Sequence, residues 1–222
     1  KAYESRDPRL QMAVITPYAQ YNGASSGIAH TYTLRWPYRG SDSAEPFDIR
    51  TDTNDKFYYL WRKFVPEGLE QTERDTYGLD IPLIRYAEVL LLKAEALNEW
   101  GSTHESEAIR CVNEVRRRAG HVELNNATYP ATKVNGQSDL RERIRNEYYW
   151  EIGGEDSMYF HELRWGTWKD KKFDNNRSGL MQMWGETTYT WYWLGDQCWS
   201  WPIPAKEMEM NSNLEQNEGW IN

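Results

Sequence analysis

The sequence has few of the residues that build metal centres and reactive thiol sites. Among its 222 residues are two cysteines and four histidines. Cys111 and Cys198 match no metal or redox spacing, so we expect two buried thiols. No two histidines lie at the i, i+4 spacing with which one helix presents two imidazoles to a metal. This pattern disfavours zinc catalysis.

Long apolar runs and dense basic runs are also missing. No apolar stretch approaches the roughly 18 residues that cross a bilayer. The 26 Lys and Arg residues are outnumbered by 34 Asp and Glu residues, which gives a net charge of -8. We therefore expect no nucleic-acid partner. The opening residues, KAYESRDPRL, carry no visible export signal, so we expect either a removed signal or a longer protein.

Aromatic residues, by contrast, are abundant. The stretch TTYTWYWLGDQCWSWPIP, residues 187–204, alone contains four tryptophans and two tyrosines. The Gly195-Asp196 pair between β-forming residues predicts a β-hairpin, which we interpret as structural, with Trp199 and Trp201 in the core. If the other face were exposed to solvent, a binding role would be favoured instead. That face carries Tyr189, Trp191 and Trp193.

The middle of the sequence predicts a pair of amphipathic helices. The first begins near Pro82 and ends at Gly101, and the segment STHE then starts the second as a capping box. The first stripe is Leu83, Ala87, Leu90, Ala94 and Leu97, and the second is Ala108, Cys111, Val112 and Val115. The pair has nearly the length of a tetratricopeptide repeat, and a single repeat cannot cover its own apolar face. We expect it to pack on other elements or on repeats outside this chain.

The flanking regions give weaker signals. Residues 1–80 predict loops and short strands in RLQMAVITPY and DKFYYLWRKFV, separated by turns at NGASSG and RGSDSAEP, with no long helix. A third helix is predicted at SDLRERIRNEYYWEI with Ser138 as its N-cap, and a short one at MYFHELRWG. The apolar stripe of the third helix is Leu140, Ile144, Tyr148 and Ile152. An irregular insertion is expected from Trp168 to Glu186.

Three glutamates, Glu147, Glu151 and Glu155, repeat every four residues along the third helix. Paired carboxylates serve glycosidases, but such carboxylates face each other across the sugar, whereas these three share one helix face. An ion-pair network is therefore favoured over catalysis. The expected partners are the arginines nearby in sequence: Arg141, Arg143, Arg145 and Arg164.

A second aromatic group lies among turn-forming residues and consists of Tyr18, Tyr21, Tyr32, Trp36 and Tyr38. Tyr and Trp on loops suit sugars, because their faces stack on pyranose rings while neighbouring polar groups bind the hydroxyls. They can equally anchor the fold, and the sequence does not decide between these two roles.

Four blocks of the sequence, taken together and in this order, resemble the C-terminal half of the SusD/RagB family. They are DPRL; IPLIRYAEVLLLKAEALNEWG followed by AIRCVNEVRRRAG; IRNEYYWEIGGE leading to LRWG; and WPIPAKEMEMNSNLEQNEGW. The sequence departs from the family pattern at Tyr148 and Tyr149 and again at residues 156–158. The resemblance spans nearly the whole chain, and residues 1–222 are expected to be the C-terminal portion of a single SusD-like domain.

The resemblance implies a mainly α fold, with tetratricopeptide-like helix pairs, irregular loops and a small β-hairpin element. It implies a non-enzymatic outer-membrane lipoprotein of Bacteroidetes, anchored through an N-terminal lipid outside this chain. Such a protein binds oligosaccharide or polysaccharide at the cell surface and delivers it to a SusC-like TonB-dependent transporter for nutrient uptake. Two alternatives stay open: a glycoside-processing enzyme that uses carboxylates around Glu151 and Glu155, and a helical-repeat scaffold for protein partners.

The family has no universal ligand motif, so the glycan-binding residues are chosen from the aromatic pattern. The first choice is the loop aromatics, and the second is two tryptophans of the late insertion. These residues are Trp36, Tyr38, Tyr32 and Tyr21, then Trp168 and Trp184. No cofactor is expected, and the sequence leaves open whether a calcium ion assists.

Overall fold

The computed structural model describes residues 6–25, 27–38, 48–52, 60–68, 80–155, 157–173 and 193–220. The chain divides into two units, Lys1–Met158 and Tyr159–Asn222. The fold is mainly α-helical with a few short strands, as predicted. That the whole chain is one portion of a single SusD-like domain stays a prediction.

The first unit opens with short elements. They are α1 (Arg9–Ala13), β1 (Val14–Ile15), β2 (Gln20–Ser25), β3 (Ile28–Tyr38), β4 (Asp48–Asp52) and β5 (Leu60–Trp61). Strands β1 and β5 pair antiparallel, and β3 pairs antiparallel with β2 and parallel with β4. A small core of Ile15, Tyr21 and Leu34 lies beneath them. The expectation of short strands without a long helix is confirmed for the described part of residues 1–80.

Two details of this region differ from the sequence prediction. The segment RLQMA is a helix, because the Asp7 carboxylate accepts a hydrogen bond from the Arg9 backbone N–H at 2.9 Å and starts the turn. The predicted turn NGASSG is mostly strand, because Asn22, Gly23 and Ala24 all pair with β3. The chain reverses at Gly27, whose φ of 75° favours glycine. The predicted turn RGSDSAEP lies outside the described residues.

Three helices form the main body of the first unit: α2 (Tyr86–Trp100), α3 (Glu105–Arg118) and α4 (Gln137–Ile152). Helix α2 packs against both α3 and α4, so the predicted helix pair is confirmed and α4 covers part of its apolar surface. The innermost side chains are fully buried and, apart from Leu91, belong to the predicted stripes. They include Leu91, Ala94, Ala108, Val112, Leu140, Ile144, Tyr148 and Ile152.

The helix starts differ from those predicted. Arg85 is extended (φ -115°, ψ 154°), so α2 begins at Tyr86 and Leu83 lies before it, exposed. The STHE capping box does not form, since Ser102–His104 is a 3-10 turn without a side-chain cap. Helix α4 begins at Gln137 after Gly136, so Ser138 lies within its first turn rather than at the N-cap.

Two buried amides join the helices to their surroundings. Asn113 of α3 donates to the Leu124 carbonyl (3.2 Å) and accepts from the Leu124 N–H (2.7 Å), which holds the connector between α3 and α4. The side-chain amides of Asn98 in α2 and Gln137 in α4 each donate to the other's backbone carbonyl, at 3.2 and 2.7 Å. These pairs satisfy groups whose burial would otherwise cost stability.

The second unit consists of short helices: α5 (Ser157–Arg164), which begins just before the unit boundary, α6 (Trp168–Lys172) and α7 (Ala205–Met210). The short helix predicted at MYFHELRWG is confirmed as α5. In the predicted insertion, residues 168–172 are helical, and residues 174–186 lie outside the described residues. Within the described ranges, no helix is long and apolar enough to cross a membrane.

The hairpin prediction around Gly195 is wrong. Asp196–Trp199 forms a 3-10 turn, in which the Cys198 N–H donates to the Gly195 carbonyl at 3.0 Å. Trp199 and Trp201 are not core residues either, since the Trp201 side chain is 75% exposed. Residues 187–192, which include Tyr189 and Trp191, lie outside the described residues. Both cysteines are free thiols, with Cys111 buried and Cys198 half-buried.

Candidate functional site

A cleft of about 480 Å³ lies in the first unit, where α1 and β5 meet the C-terminal end of α4. Its walls combine aromatic rings with charged and polar groups. These lining residues include Asp7, Arg9, Trp61, His121, Tyr149 and Trp150. Sugar sites combine flat rings and hydrogen-bonding groups in this way, so this cleft is the candidate functional site.

Trp61 forms one wall of the cleft. The antiparallel pairing of β1 and β5 places Trp61 opposite Val14, and 58% of its side chain is exposed. The ring lies against Gly154, where a Cβ atom would come within 2.8 Å of the indole. Gly154 has a φ of 84°, a conformation that favours glycine. The turn after α4 therefore leaves room for the Trp61 ring.

Trp150 of α4 forms another wall. Its side chain is 44% exposed, so much of the indole can reach a ligand. The Arg116 guanidinium lies over the ring at 5.9 Å from its centroid, and the His121 imidazole meets it edge-on at 5.8 Å. These contacts hold the ring in place from α3 and the connector, which limits the side-chain entropy that ligand binding would cost.

Charged and polar groups stand beside the two rings. Arg9 binds Asp7 through two hydrogen bonds, from Nε at 2.9 Å and from Nη2 at 2.6 Å. Burial alone would raise the pKa of Asp7, but the Arg9 hydrogen bonds outweigh it and lower the pKa. Burial, assisted by Arg116, lowers the pKa of His121. At neutral pH the cleft therefore presents a carboxylate, a guanidinium and a neutral imidazole.

The three glutamates of α4 line up behind this cleft in ion pairs, as predicted, but their partners come from elsewhere in the chain. Glu147 pairs with Arg9 and Arg116, at 2.7 and 2.9 Å. Glu151 pairs with Arg9, Arg85 and Arg118. Glu155 pairs with Arg85 and Lys63. Each carboxylate is therefore neutralised by cations from other elements.

The nearby arginines named from sequence have other partners. Arg141 pairs with Glu99, Arg143 with Asp139 and Arg145 with Glu142. Arg164 lies 3.1 Å from the His161 ring nitrogen. The prediction of these partners was wrong because nearness along one helix does not fix which face a side chain shares with a neighbouring element.

A second cleft of about 380 Å³ adjoins the first. Arg9, Ala13 and Trp150 line both. The second cleft is otherwise formed largely by the glutamate network: Lys63, Arg85, Arg118, Glu151 and Glu155. The hydrogen bonds from Arg85 and Lys63 outweigh the effect of burial and lower the pKa of Glu155.

The first-choice aromatics lie on β2 and β3 of the small sheet. Tyr21 is 5% exposed, and its hydroxyl donates to the Pro66 carbonyl at 2.9 Å. Tyr32 lies opposite it on β3 and packs partly against the same core. Trp36 and Tyr38 continue β3, but their side chains lie outside the described residues. A glycan contact by any of the four stays a prediction.

The second-choice tryptophans are Trp168 and Trp184. Trp168 begins α6 in the second unit and contacts the rings of Tyr159, Phe173 and Trp193 edge-on, at 4.9–5.8 Å between centroids. Trp184 lies outside the described residues. Both stay predictions, as does the absence of a cofactor. Within the described ranges, no three His, Cys, Asp or Glu side chains lie where they could hold a metal ion.

Sequence reasoning missed Trp61 and Trp150 as candidate site residues. Trp61 stood in a segment predicted only as a strand, and Trp150 in a segment used to predict the third helix and to recognise the family. One signal was available, because Trp150 falls off the buried stripe formed by Ile144, Tyr148 and Ile152.

The fold and this cleft define a mainly helical protein with an aromatic-lined cleft. Comparison with known families shows which family this is, since the model of the SusD family matches residues 1–220. The chain belongs to the SusD family.

Individual relatives agree with this assignment. The starch-binding protein SusD of Bacteroides thetaiotaomicron is 28% identical over 161 residues, which are 72% of this chain and 25% of that protein. The SusD-like protein P38 of Formosa agariphila is 32% identical over 62% of this chain and 24% of its own length. The chain thus spans about a quarter of each of these relatives.

Solved structures share the fold. A SusD-like carbohydrate-binding protein of Bacteroides fragilis superimposes with a TM-score of 0.58 over 97% of this chain and 42% of its own, at 25% identity. Another SusD-like protein of the same species gives a TM-score of 0.64 over 98% of this chain and 39% of its own, at 22% identity.

Proposed function

We propose that this chain binds oligosaccharide or polysaccharide at the cleft between Trp61 and Trp150 and does not cleave it. The observation that carries the proposal is the presence of two exposed indoles on the walls of one cleft, with Asp7, Arg9 and His121 beside them. Indole faces stack on pyranose rings, and the charged and polar groups can bind sugar hydroxyls.

The relatives support the same class of ligand. One is named a starch-binding protein and another a carbohydrate-binding protein. This chain spans about a quarter of its matched relatives. The proposed ligand therefore rests on the residues of the cleft and not on what those relatives bind.

The α4 glutamates support binding without catalysis. A glycosidase needs one carboxyl with a raised pKa as general acid and a second carboxylate across the sugar. Glu155 has a lowered pKa, and Glu151 is bound by three arginines. The pKa of Glu147 is raised by burial against the opposing effect of Arg9 and Arg116, but its side chain is fully buried and cannot reach a substrate.

Delivery to a SusC-like TonB-dependent transporter at the cell surface is a further part of the proposal. It rests on family membership and is tested by expression in a Bacteroidetes host that carries the neighbouring genes. We expect the protein to co-purify with the transporter from outer membranes. Recovery only from fractions that lack outer membrane would contradict this part while leaving glycan binding untouched.

Calorimetric titration with a panel of oligosaccharides tests the cleft. We expect saturable binding of at least one glycan without new reducing ends. The changes Trp61→Ala and Trp150→Ala should each weaken it by about tenfold or more, since buried aromatic anchors dominate binding. The melting temperature should change little.

Trp100→Ala is the matched control for this titration. Trp100 is also an exposed tryptophan of the first unit, but it stacks on His104 and lies outside the cleft. Equal losses of affinity in Trp61→Ala, Trp150→Ala and Trp100→Ala would overturn the assignment of the site. The release of reducing ends would overturn the non-catalytic function.

A further inference from the structure

The second cleft carries an imbalance of charge. Among the described residues, four cations line it and two carboxylates do. The cations are Arg9, Lys63, Arg85 and Arg118, and the carboxylates are Glu151 and Glu155. The described lining therefore has two positive charges in surplus, in a chain whose net charge is -8, although Arg9 is also paired with Asp7 and Glu147 outside the lining.

The carboxylates are also hidden from a ligand. The side chains of Glu151 and Glu155 are 2% and 8% exposed, whereas Arg118 is 59% exposed. Arg85 and Lys63 are intermediate. A molecule entering the cleft thus meets the cations first, with the acidic groups behind them.

Arg118 is the cation best placed to change partner. Its only ion-pair partner among the described residues is Glu151. That carboxylate also binds Arg9 at 2.9 Å and Arg85 at 3.1 Å. If Arg118 turned toward a ligand anion, Glu151 would keep two guanidiniums. Little native pairing energy would be lost, and a charge-assisted hydrogen bond would be gained.

The two clefts are neighbours and share Arg9, Ala13 and Trp150 in their walls. A sugar chain on the Trp61 and Trp150 walls would place its neighbouring residue beside Arg118 and Lys63. The net negative charge of the chain opposes the binding of an anion in this cleft only weakly. Charges more than about 8 Å apart are largely screened at physiological ionic strength.

From this geometry we propose that the second cleft is a subsite for an anionic sugar, which bears a carboxylate or a sulfate ester. The inference rests on the proposed function, because it places a charged unit of a glycan held in the first cleft. Arg118 binds the anionic group, Lys63 adds a positive charge beside it while keeping its own partners, and Trp150 packs beside the same sugar chain.

The test compares glycans that differ in charge. Oligogalacturonate supplies the carboxylate, a sulfated galactan oligosaccharide supplies the sulfate ester, and a neutral galactan oligosaccharide supplies neither. We expect one of the acidic ligands to bind at least about tenfold more tightly than the neutral one at low salt. Its affinity should fall as NaCl rises from about 50 to about 500 mM.

Arg118→Gln and Arg117→Gln form the decisive pair of variants. Both arginines lie in the last turn of α3, are 59% and 63% exposed, and lose the same charge on substitution. Arg117 pairs with Glu123 and lies outside the cleft. We expect Arg118→Gln to weaken acidic-glycan binding roughly tenfold, while Arg117→Gln leaves it unchanged.

Each outcome has a distinct meaning. Equal effects of the two substitutions, or acidic glycans that bind no tighter than the neutral one, would overturn the anionic subsite while leaving neutral binding at Trp61 and Trp150 standing. If none of the three ligands and no member of the neutral panel binds, the proposed function and the inference fail together. Preference for carboxylate over sulfate, or the reverse, identifies the anionic group.

Discussion

At the scale of single residues, the buried glutamates of α4 are the most consequential. Glu147 has no exposed side-chain surface and faces Arg116, which is itself buried. Removing one member of such a pair leaves the other charge buried without compensation, which costs more than the pair contributes. Glu147 therefore matters to stability through the arginines that it neutralises.

Replacing Glu147 by Ala should destabilise the protein by about 3–5 kcal/mol, because Arg9 and Arg116 lose a shared partner in a buried site. Urea denaturation gives the free energy of unfolding. If the Ala variant does not fold, Glu147→Gln, which keeps the shape and loses the charge, gives the measurable loss.

Glu123→Ala is the control, because the Glu123–Arg117 pair lies at the surface and its removal should be barely detectable. Equal losses at positions 147 and 123 would mean that the burial of the pair does not matter.

The sequence correctly predicted which residues are buried where helical periodicity alone determines burial. It did not predict the ion-pair partners that lie far away along the chain. Leu140, Ile144 and Tyr148 are buried as predicted, because helical periodicity alone selects that face. The ion-pair partners Arg9, Arg85 and Arg116 could not be predicted. These arginines are far from α4 along the chain, and only the tertiary fold brings them into contact with its glutamates.

At the scale of elements, the turn after α4 shapes the first cleft. Gly153 ends the helix, and Gly154 places its bare Cα against the Trp61 ring of β5. A side chain at position 154 would both strain the backbone and displace the ring.

Gly154→Ala should cost roughly 1–2 kcal/mol of stability from its positive φ and weaken glycan binding by moving Trp61. Thermal unfolding and calorimetric titration measure the two effects.

Gly120→Ala separates the effect on stability from the effect on glycan binding. Gly120 has a φ of 71° and open space around its Cβ position. It should lose similar stability and keep its affinity. If both variants bind as the wild type does, Trp61 does not depend on Gly154.

Elements with long periodic patterns could be predicted, and short ones could not. Helices α3 and α4 lie close to their predicted places, because several turns of repeating apolar residues outweigh any local ambiguity. The hairpin at Gly195 failed because aromatic residues around a Gly-Asp pair also suit a tight 3-10 turn. There the Asp196 carboxylate accepts from the Trp193 indole N–H. No pattern distinguished the two.

At the scale of the whole molecule, ion pairing makes stability depend on pH. Six carboxyl groups among the described residues have a lowered pKa and one has a raised pKa. The six are Asp7, Glu99, Glu107, Glu123, Asp139 and Glu155, and the one is Glu147. A lowered pKa contributes stability at pH values above the unfolded pKa, and this contribution is lost as pH falls through the folded value.

We therefore expect the melting temperature to fall steadily as pH decreases from about 5 to about 3, which brackets the ordinary pKa values of Asp and Glu. Protonation of Glu147 has the opposite sign and only partly offsets the loss. Asp7→Asn should flatten the profile below pH 4, because it removes one of the titrating groups. A melting temperature that rises on acidification would contradict this account.

The fold could be predicted at this scale because family-like blocks recur in order along the whole chain. The cleft could not be predicted, because its walls come from four segments that the sequence separates widely.

The guanidinium of Arg9 binds the carboxylate of Glu151 across 142 positions of the chain. Closing a loop of that size is entropically unfavourable until many other contacts have formed, and chains dominated by such contacts fold slowly. The first cleft therefore forms only after α4, which carries Glu151, has packed against α1, which carries Arg9. A partly folded chain could hold its helix pair intact and still have no place for a sugar.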